Sequence, residues 1–254
     1  MVMPVRELEG EVAIVTGGAK NIGRATCLEL AAAGAAVCVN ALSSIQEAED
    51  VAAEIEEAGG RSMVHIGDVS DPAVVDAMVA GTVERFGALT ILINNASLRR
   101  MVPLAEMSLE EFRTIMRINV EAVFLCAKAA LPHMIAAKRG SIVTLGGLTA
   151  HAGVKSRLHV STSKAAVVGM TMALAHEGAD AGVTANVVVP GMIDTVRTAA
   201  TGELPPGYTG GDNLLNRKGR PEEIAAMIRA LCGPAGRYTT GQTIHVNGGA
   251  YTTT

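Results

Sequence analysis

The feature that most constrains this chain is a repeating alternation. Short apolar, β-branched runs alternate with longer alanine-rich stretches of helical character. The runs are VAIVTG (12–17), AAVCVN (35–40), RSMVHIGD (61–68), LTILINNA (89–96), GSIVTLGG (140–147), GVTANVVVPG (182–191) and QTIHVNGG (242–249). Most are nearly continuous in apolar residues, the mark of strands buried on both faces. Between the first of them lie NIGRATCLELAAAG (21–34), SIQEAEDVAAEIEEAGG (44–60), DPAVVDAMVAGTVERFG (71–87) and a long stretch from Ser108 to Ala137. The first two stop at glycines, and the third opens with Asp71-Pro72, an N-cap followed by proline in the first turn. This alternation predicts an α/β fold: a seven-stranded, mainly parallel sheet with helices on both faces. No proline-rich or charged linker interrupts it, so one doubly wound domain is expected over residues 1–254. Residues 196–216, VRTAATGELPPGYTGGDNLLN, break the pattern with glycines and prolines and are expected to form a flap over a cleft.

Composition excludes several classes. With 49% hydrophobic and 18% charged residues the chain is globular, not disordered. A net charge of −4 and an aromatic content of 2% argue against nucleic acid as partner. The opening residues lack the apolar core of a secretory signal, and no uninterrupted apolar run has the length of a membrane span. Cys27, Cys38, Cys126 and Cys232 form no C-x-x-C pair and read as buried thiols of a cytoplasmic protein. No metal site is expected.

The turn VTGGAKNIGRA joins the first strand to the first helix. In a βαβ unit, small residues here let the backbone approach a pyrophosphate, which then meets the unpaired N–H groups and dipole of the helix N-terminus. The pattern is Thr16, Gly17 and Gly23, with Lys20, Asn21 and Ile22 inside the turn. Its place after a strand and before a helix makes a dinucleotide site the expectation.

Further motifs follow in order: GDVS around Asp68 and Val69, NNAS with Asn95 and Ala96, RINVEAVF around Asn119, SKAAVVGMT around Lys164, and VVPGMIDT with Pro190, Gly191, Ile193 and Thr195. Together they resemble, over nearly the whole chain, the short-chain dehydrogenase/reductase family and within it the 3-oxoacyl-carrier-protein reductases. The resemblance implies a Rossmann fold and an NAD(P)-dependent oxidoreductase. It places Asp68 at the adenine, Asn119 in the active site, and the Pro190–Thr195 segment beside the nicotinamide. Asn21 stands where the family loop has its middle glycine, and asparagine tolerates positive φ better than most residues. NAD-preferring enzymes carry an acidic residue at the end of the second strand. Here that position is Ala41, while Lys20 and Ser43 could attract a 2′-phosphate, so NADP(H) is the expected cofactor. A homotetramer is also implied, because the C-terminal segment YTTGQTIHVNGGAYTTT resembles the family's assembly region.

The stretch GVKSRLHVSTSKAAVVGM (153–170) holds the departure. In the family a tyrosine lies four residues before the lysine, on the same helix face, and a serine thirteen before the tyrosine. With Lys164 as the lysine, those positions are Val160 and Gly147. Neither side chain handles a proton, and a positioned acid–base group is worth roughly 10²–10⁴-fold. His151 and His159 are candidate substitutes. The 2,4-dienoyl-CoA reductases, relatives that also lack this tyrosine, are a precedent for reducing conjugated C=C bonds. Arg99 and Arg100 after NNAS, with Lys155 and Arg157 before the catalytic helix, would suit an anionic small molecule such as a carboxylate or a CoA thioester. Three readings follow: an NADP(H)-dependent oxidoreductase with altered proton transfer acting on an anionic carbonyl or enoyl substrate, a catalytically silent cofactor-binding homologue, or a non-redox enzyme on the same fold.

Overall fold

The computed structural model describes residues 6–196 and 213–252. Most of the expected flap, 197–212, lies outside them. In chain order the elements are β1 (Val12–Val15), α1 (Asn21–Ala32), β2 (Ala36–Ala41), α2 (Ile45–Glu57), β3 (Arg61–Ile66), α3 (Pro72–Phe86), β4 (Ile91–Asn94) and α4 (Leu109–Met116). They continue with α5 (Ala122–Ala137), β5 (Gly140–Leu145), α6 (Thr149–Ala152), α7 (Leu158–Gly178), β6 (Val183–Pro190), α8 (Pro221–Cys232) and β7 (Thr243–Val246). The sheet order is β3-β2-β1-β4-β5-β6-β7, and every neighbouring pair is parallel. The expected "mainly parallel" sheet is thus wholly parallel among the described residues.

The continuous apolar runs are explained by the two cores they serve. Side chains alternate across a strand, so Ala13 and Val15 of β1 face a cluster with Leu30 of α1, Ile55 of α2 and Ile228 of α8. Ile14, between them, faces the opposite cluster with Met78 of α3 and Ala127 and Met134 of α5. The caps read in the sequence are present. Asp71 Oδ1 accepts from Ala73 N at 2.9 Å, and Gly87 closes α3 in the left-handed region at φ 83°. The four cysteines are free and buried, and burial pushes their thiols well above the ordinary value.

The stretch expected as one helix from Ser108 to Ala137 contains a π turn, Arg117–Glu121, between α4 and α5. The extra residue per turn accommodates Asn119, which is buried where a regular helix would carry on without interruption. By length and composition Leu109–Ala137 could cross a membrane. In the fold α5 covers the sheet, lying against α3, β4 and β5, and it leaves Phe124 and Ile135 exposed. The strand order reverses between β1 and β4, so the carboxyl ends of these two strands open the crevice where ligands bind in such sheets.

Candidate functional site

Two adjoining cavities occupy that crevice. The first runs over the β1–α1 turn and is walled by Gly17, Lys20, Asn21, Ala41, Asn95 and Ala96. The second lies over the end of β5 and the start of α7, and includes Gly147, Thr149, Arg157, Val160, Gly191 and Ile193. Ile22, Arg99, Gly146, Lys164, Pro190 and Thr195 line both and form the shared wall.

The turn is built to stay close to its surroundings. A methyl on Gly23 would lie 2.0 Å from the Gly17 carbonyl oxygen, so only glycine fits. Asn21 adopts φ 53°, the left-handed conformation that its side chain tolerates. Its amide pairs with the backbone after β6: Nδ2 donates to Val196 O at 3.0 Å, and Val196 N donates to Oδ1 at 2.9 Å. Thr16 Oγ1 accepts from Asn95 N at 3.0 Å and Ala96 N at 3.1 Å, while Asn95 Nδ2 donates to Thr16 O and Gly17 O. These bonds sew the ends of β1 and β4 together, each worth about 1 kcal/mol net. Asn40, which the motif reading passed over, completes the frame: Oδ1 accepts from Gly17 N, and Nδ2 donates to His65 O and Gly67 O. A lone asparagine in the otherwise apolar run AAVCVN was the available signal.

At the far end of the first cavity Ala41, Leu42 and Ser44 form the wall; Ser43 is not part of it. Lys20 does line it, but its ammonium is held 2.6 Å from Glu47 Oε1. Asp68 lies outside both linings. Its Oδ1 accepts from the amide and hydroxyl of Ser70, and Arg117 sits 3.4 Å from Oδ2. Bonds from Ser70 and the charge of Arg117 outweigh partial burial and hold this carboxyl below its ordinary range. The Val69 side chain belongs to the core, which leaves only its backbone for a ligand.

Lys164 is buried, and its Nζ donates to Leu145 O at 2.6 Å. Desolvation, reinforced by the nearby Arg99 cation, drives its pKa down to about 7. Asn119 does not reach either cavity lining. Oδ1 accepts from Leu98 N at 2.8 Å, and Nδ2 donates to Leu98 O and to Ser163 Oγ, both at 3.0 Å. It ties the loop after β4 to α7. Ser163 in turn donates to Val160 O at 2.8 Å.

The two candidate substitutes for the missing acid are not in the linings. His159 is fully buried, 3.4 Å from Glu111, and neither ring nitrogen has a hydrogen-bond partner among the described groups. Burial lowers its pKa; Glu111 opposes that shift, and the Arg100 and Arg157 cations add to it. His151 packs edge-on against His245 and at a tilt against Tyr251 in a three-ring cluster, with centroids 4.7 Å and 5.5 Å away. Of the four cations expected to converge, Arg99 and Arg157 line the second cavity. Arg100 is paired with Glu111 at 2.7 Å, and Lys155 is exposed in the turn before α7. The physical reason is that α7 begins at Leu158, so Arg157 sits at its N-cap while Lys155 is still in the loop.

Comparison with known proteins agrees with this geometry. Residues 17–251 match the family model described as enoyl-(acyl carrier protein) reductase. The chain is 38% identical over 248 residues to a 3-oxoacyl-[acyl-carrier-protein] reductase of Synechocystis sp., covering 95% of this chain and 97% of that one. A dehydrogenase/reductase from Sinorhizobium meliloti superposes with a TM-score of 0.89 at 32% identity, covering 98% of each chain. A short-chain dehydrogenase from Burkholderia cenocepacia, solved in complex with NADP, gives 0.87 at 32% identity, covering 96% of this chain and 99% of that one. The chain belongs to the short-chain dehydrogenase/reductase family, a family of oxidoreductases built on the Rossmann fold.

Proposed function

We propose that the chain is an NADP(H)-dependent oxidoreductase acting on a small anionic carbonyl or enoyl substrate, with proton handling altered from the family pattern. The observation that carries this reading is the shared wall. Arg99 and Lys164 border a cavity over the glycine turn and, on their other side, a cavity that also holds Arg157. The residues fit a dinucleotide: the Gly17–Gly23 approach leaves no room for a side chain, as a pyrophosphate cradle requires. Thr16, Gly17, Asn21, Ile22 and Gly23 would hold the pyrophosphate, and Lys20 the 2′-phosphate. Asp68 and the Val69 backbone would meet the adenine. Asn95, Ala96, Lys164, Pro190, Gly191, Ile193 and Thr195 would hold the nicotinamide end. When bound, the reduced cofactor supplies a hydride. The absence of a carboxylate at Ala41 and the NADP held by the Burkholderia relative support NADP(H) over NAD(H).

Arg99 and Arg157 would fix a carboxylate, or a phosphate of the CoA part of a CoA thioester, by charge-assisted hydrogen bonds. Asn119 would act by positioning the loop that carries Arg99. One domain over 1–254, a cytoplasmic location and a homotetramer using the uncovered apolar face of α5 complete the reading. Titration with NADPH and NADH, followed by nicotinamide fluorescence, is the first test; NADPH is expected to bind more tightly. A panel of enones, enoyl thioesters and keto acids follows. Arg99→Ala and Arg157→Ala should raise KM for the anionic members about tenfold or more each. Unchanged KM for all of them would remove the anionic-substrate reading. Gly147 and Val160 favour the silent-homologue alternative, which any NADPH-dependent turnover would eliminate.

A further inference from the structure

We propose that Lys164 itself is the proton donor of the reduction step, in place of the tyrosine that Val160 replaces. The proposal rests on the oxidoreductase reading and assigns a role to this one atom, Nζ. Position sets apart the other groups near the second cavity. Ser163 Oγ is engaged with Asn119 and the Val160 carbonyl. His159 sits behind the wall beside Glu111, and His151 is packed against the rings of His245 and Tyr251. Thr149 lines the cavity, but its hydroxyl passes a proton on without itself titrating near neutrality. Arg99 and Arg157 never release theirs.

Lys164 remains. It is the residue on the shared wall that can change charge, and it lies between the two cavities. One of its three N–H groups goes to Leu145 O, which leaves two for a ligand. The cation that acts on it is Arg99, from the loop after β4. Lys20, paired with Glu47, and Arg157, at the N-cap of α7, each line one of the two cavities that Lys164 borders. No Asp or Glu among the described residues lines either cavity, so no carboxylate there stabilises the ammonium. Burial and Arg99 bring its titration to about 7, where donor and acceptor forms are both populated at neutral pH.

The step balances as follows. One N–H bond of the ammonium breaks as an O–H bond forms at a carbonyl oxygen, or a C–H bond at the α-carbon of an enoyl group. The electron pair for reduction arrives as hydride from the reduced nicotinamide dinucleotide. Lys164 is left as a neutral amine and recovers its proton from water. Reduction therefore slows as pH rises through the Lys164 midpoint, and the reverse oxidation speeds up.

Nuclear magnetic resonance of the full-length protein carrying labelled lysine tests this, with Lys164→Arg assigning the signal by its disappearance. One lysine is expected to titrate near neutrality, with and without NADP⁺, and Arg99→Ala should move that midpoint upward. A Lys164 that stays charged up to the ordinary lysine value of 10.5 overturns the proposal. In turnover with NADPH and enoyl thioesters or keto acids, the wild-type pH profile should follow the same midpoint. Lys164→Arg, which keeps the cation but cannot release a proton, should lower kcat by about 100-fold or more. Its NADPH affinity, read by fluorescence, should change far less. In Val160→Tyr the pH limb should move away from the Lys164 midpoint. Retention of wild-type kcat by Lys164→Arg overturns the proposal alone. No NADPH binding, or binding without turnover across the panel, overturns the oxidoreductase reading and the proposal with it.

Discussion

The two ends of the crevice differ in how much change their surroundings permit. Over the β1–α1 turn, a methyl on Gly23 would lie 2.0 Å from a backbone oxygen that bonds elsewhere hold in place. At the end of β5, a methyl on Gly147 would meet the Lys164 Cγ at 3.2 Å and the Thr149 Oγ1 at 3.5 Å, both on movable side chains. Backbone encloses the end over the β1–α1 turn; side chains surround Gly147 at the end of β5. The first can keep its pattern only by keeping its glycine, whereas the second can change residue identity without disturbing the fold. That contrast fits a turn that keeps Gly17 and Gly23 beside an end of the crevice that holds Gly147 and Val160.

The largest effect should come from the enclosed end. Gly23→Ala is expected to weaken NADPH binding by about 100-fold or more, because relieving the clash requires moving the turn itself. Fluorescence titration measures this, and circular dichroism confirms that the sheet survives. Full binding by Gly23→Ala would break the comparison. At the tolerant end, Gly147→Ser combined with Val160→Tyr should fold and should raise ketone reduction by roughly 10²–10⁴-fold. Failure of that double variant to fold would show the proton-handling end to be as rigid as the turn.

Two smaller effects sharpen the picture of the cofactor end. Asn21→Gly keeps the backbone conformation, since φ 53° suits glycine, but removes two hydrogen bonds to Val196. NADPH affinity should fall by up to about thirtyfold, in line with two bonds of about 1 kcal/mol each. Glu47→Gln should give the smallest change. It frees Lys20 from an exposed ion pair, and NADPH affinity should rise by roughly threefold while NADH affinity stays the same. Equal changes for both cofactors would take Lys20 away from the 2′-phosphate.

Much of this architecture was legible in the residues. Continuous apolar runs announced the two-faced sheet, Asp71-Pro72 and Gly87 marked α3, and the glycine turn located the crevice. What could not be read depended on register between distant elements. The π turn at Arg117–Glu121 uses residues that would serve equally in an ordinary helix, and only the burial of Asn119 among Leu98 and Ser163 explains it. The pairing of Lys20 with Glu47 needs α2 to start at Ile45. The separation of Arg157 from Lys155 needs α7 to start at Leu158. Side chains of one charge looked equivalent in the sequence; the start of a helix decided which of them faces the cavity.

The amide of Asn21 has one more consequence. It joins the β1–α1 turn to Val196, the residue that follows Thr195 on the wall shared by the two cavities, by a reciprocal pair of bonds. Two binding events that each bias one shared contact are thermodynamically linked. Whatever factor a substrate-side ligand contributes to affinity at the turn through Val196, an occupant of the turn must return to that ligand in full. Asn21→Gly would then uncouple two affinities that wild type holds in fixed proportion.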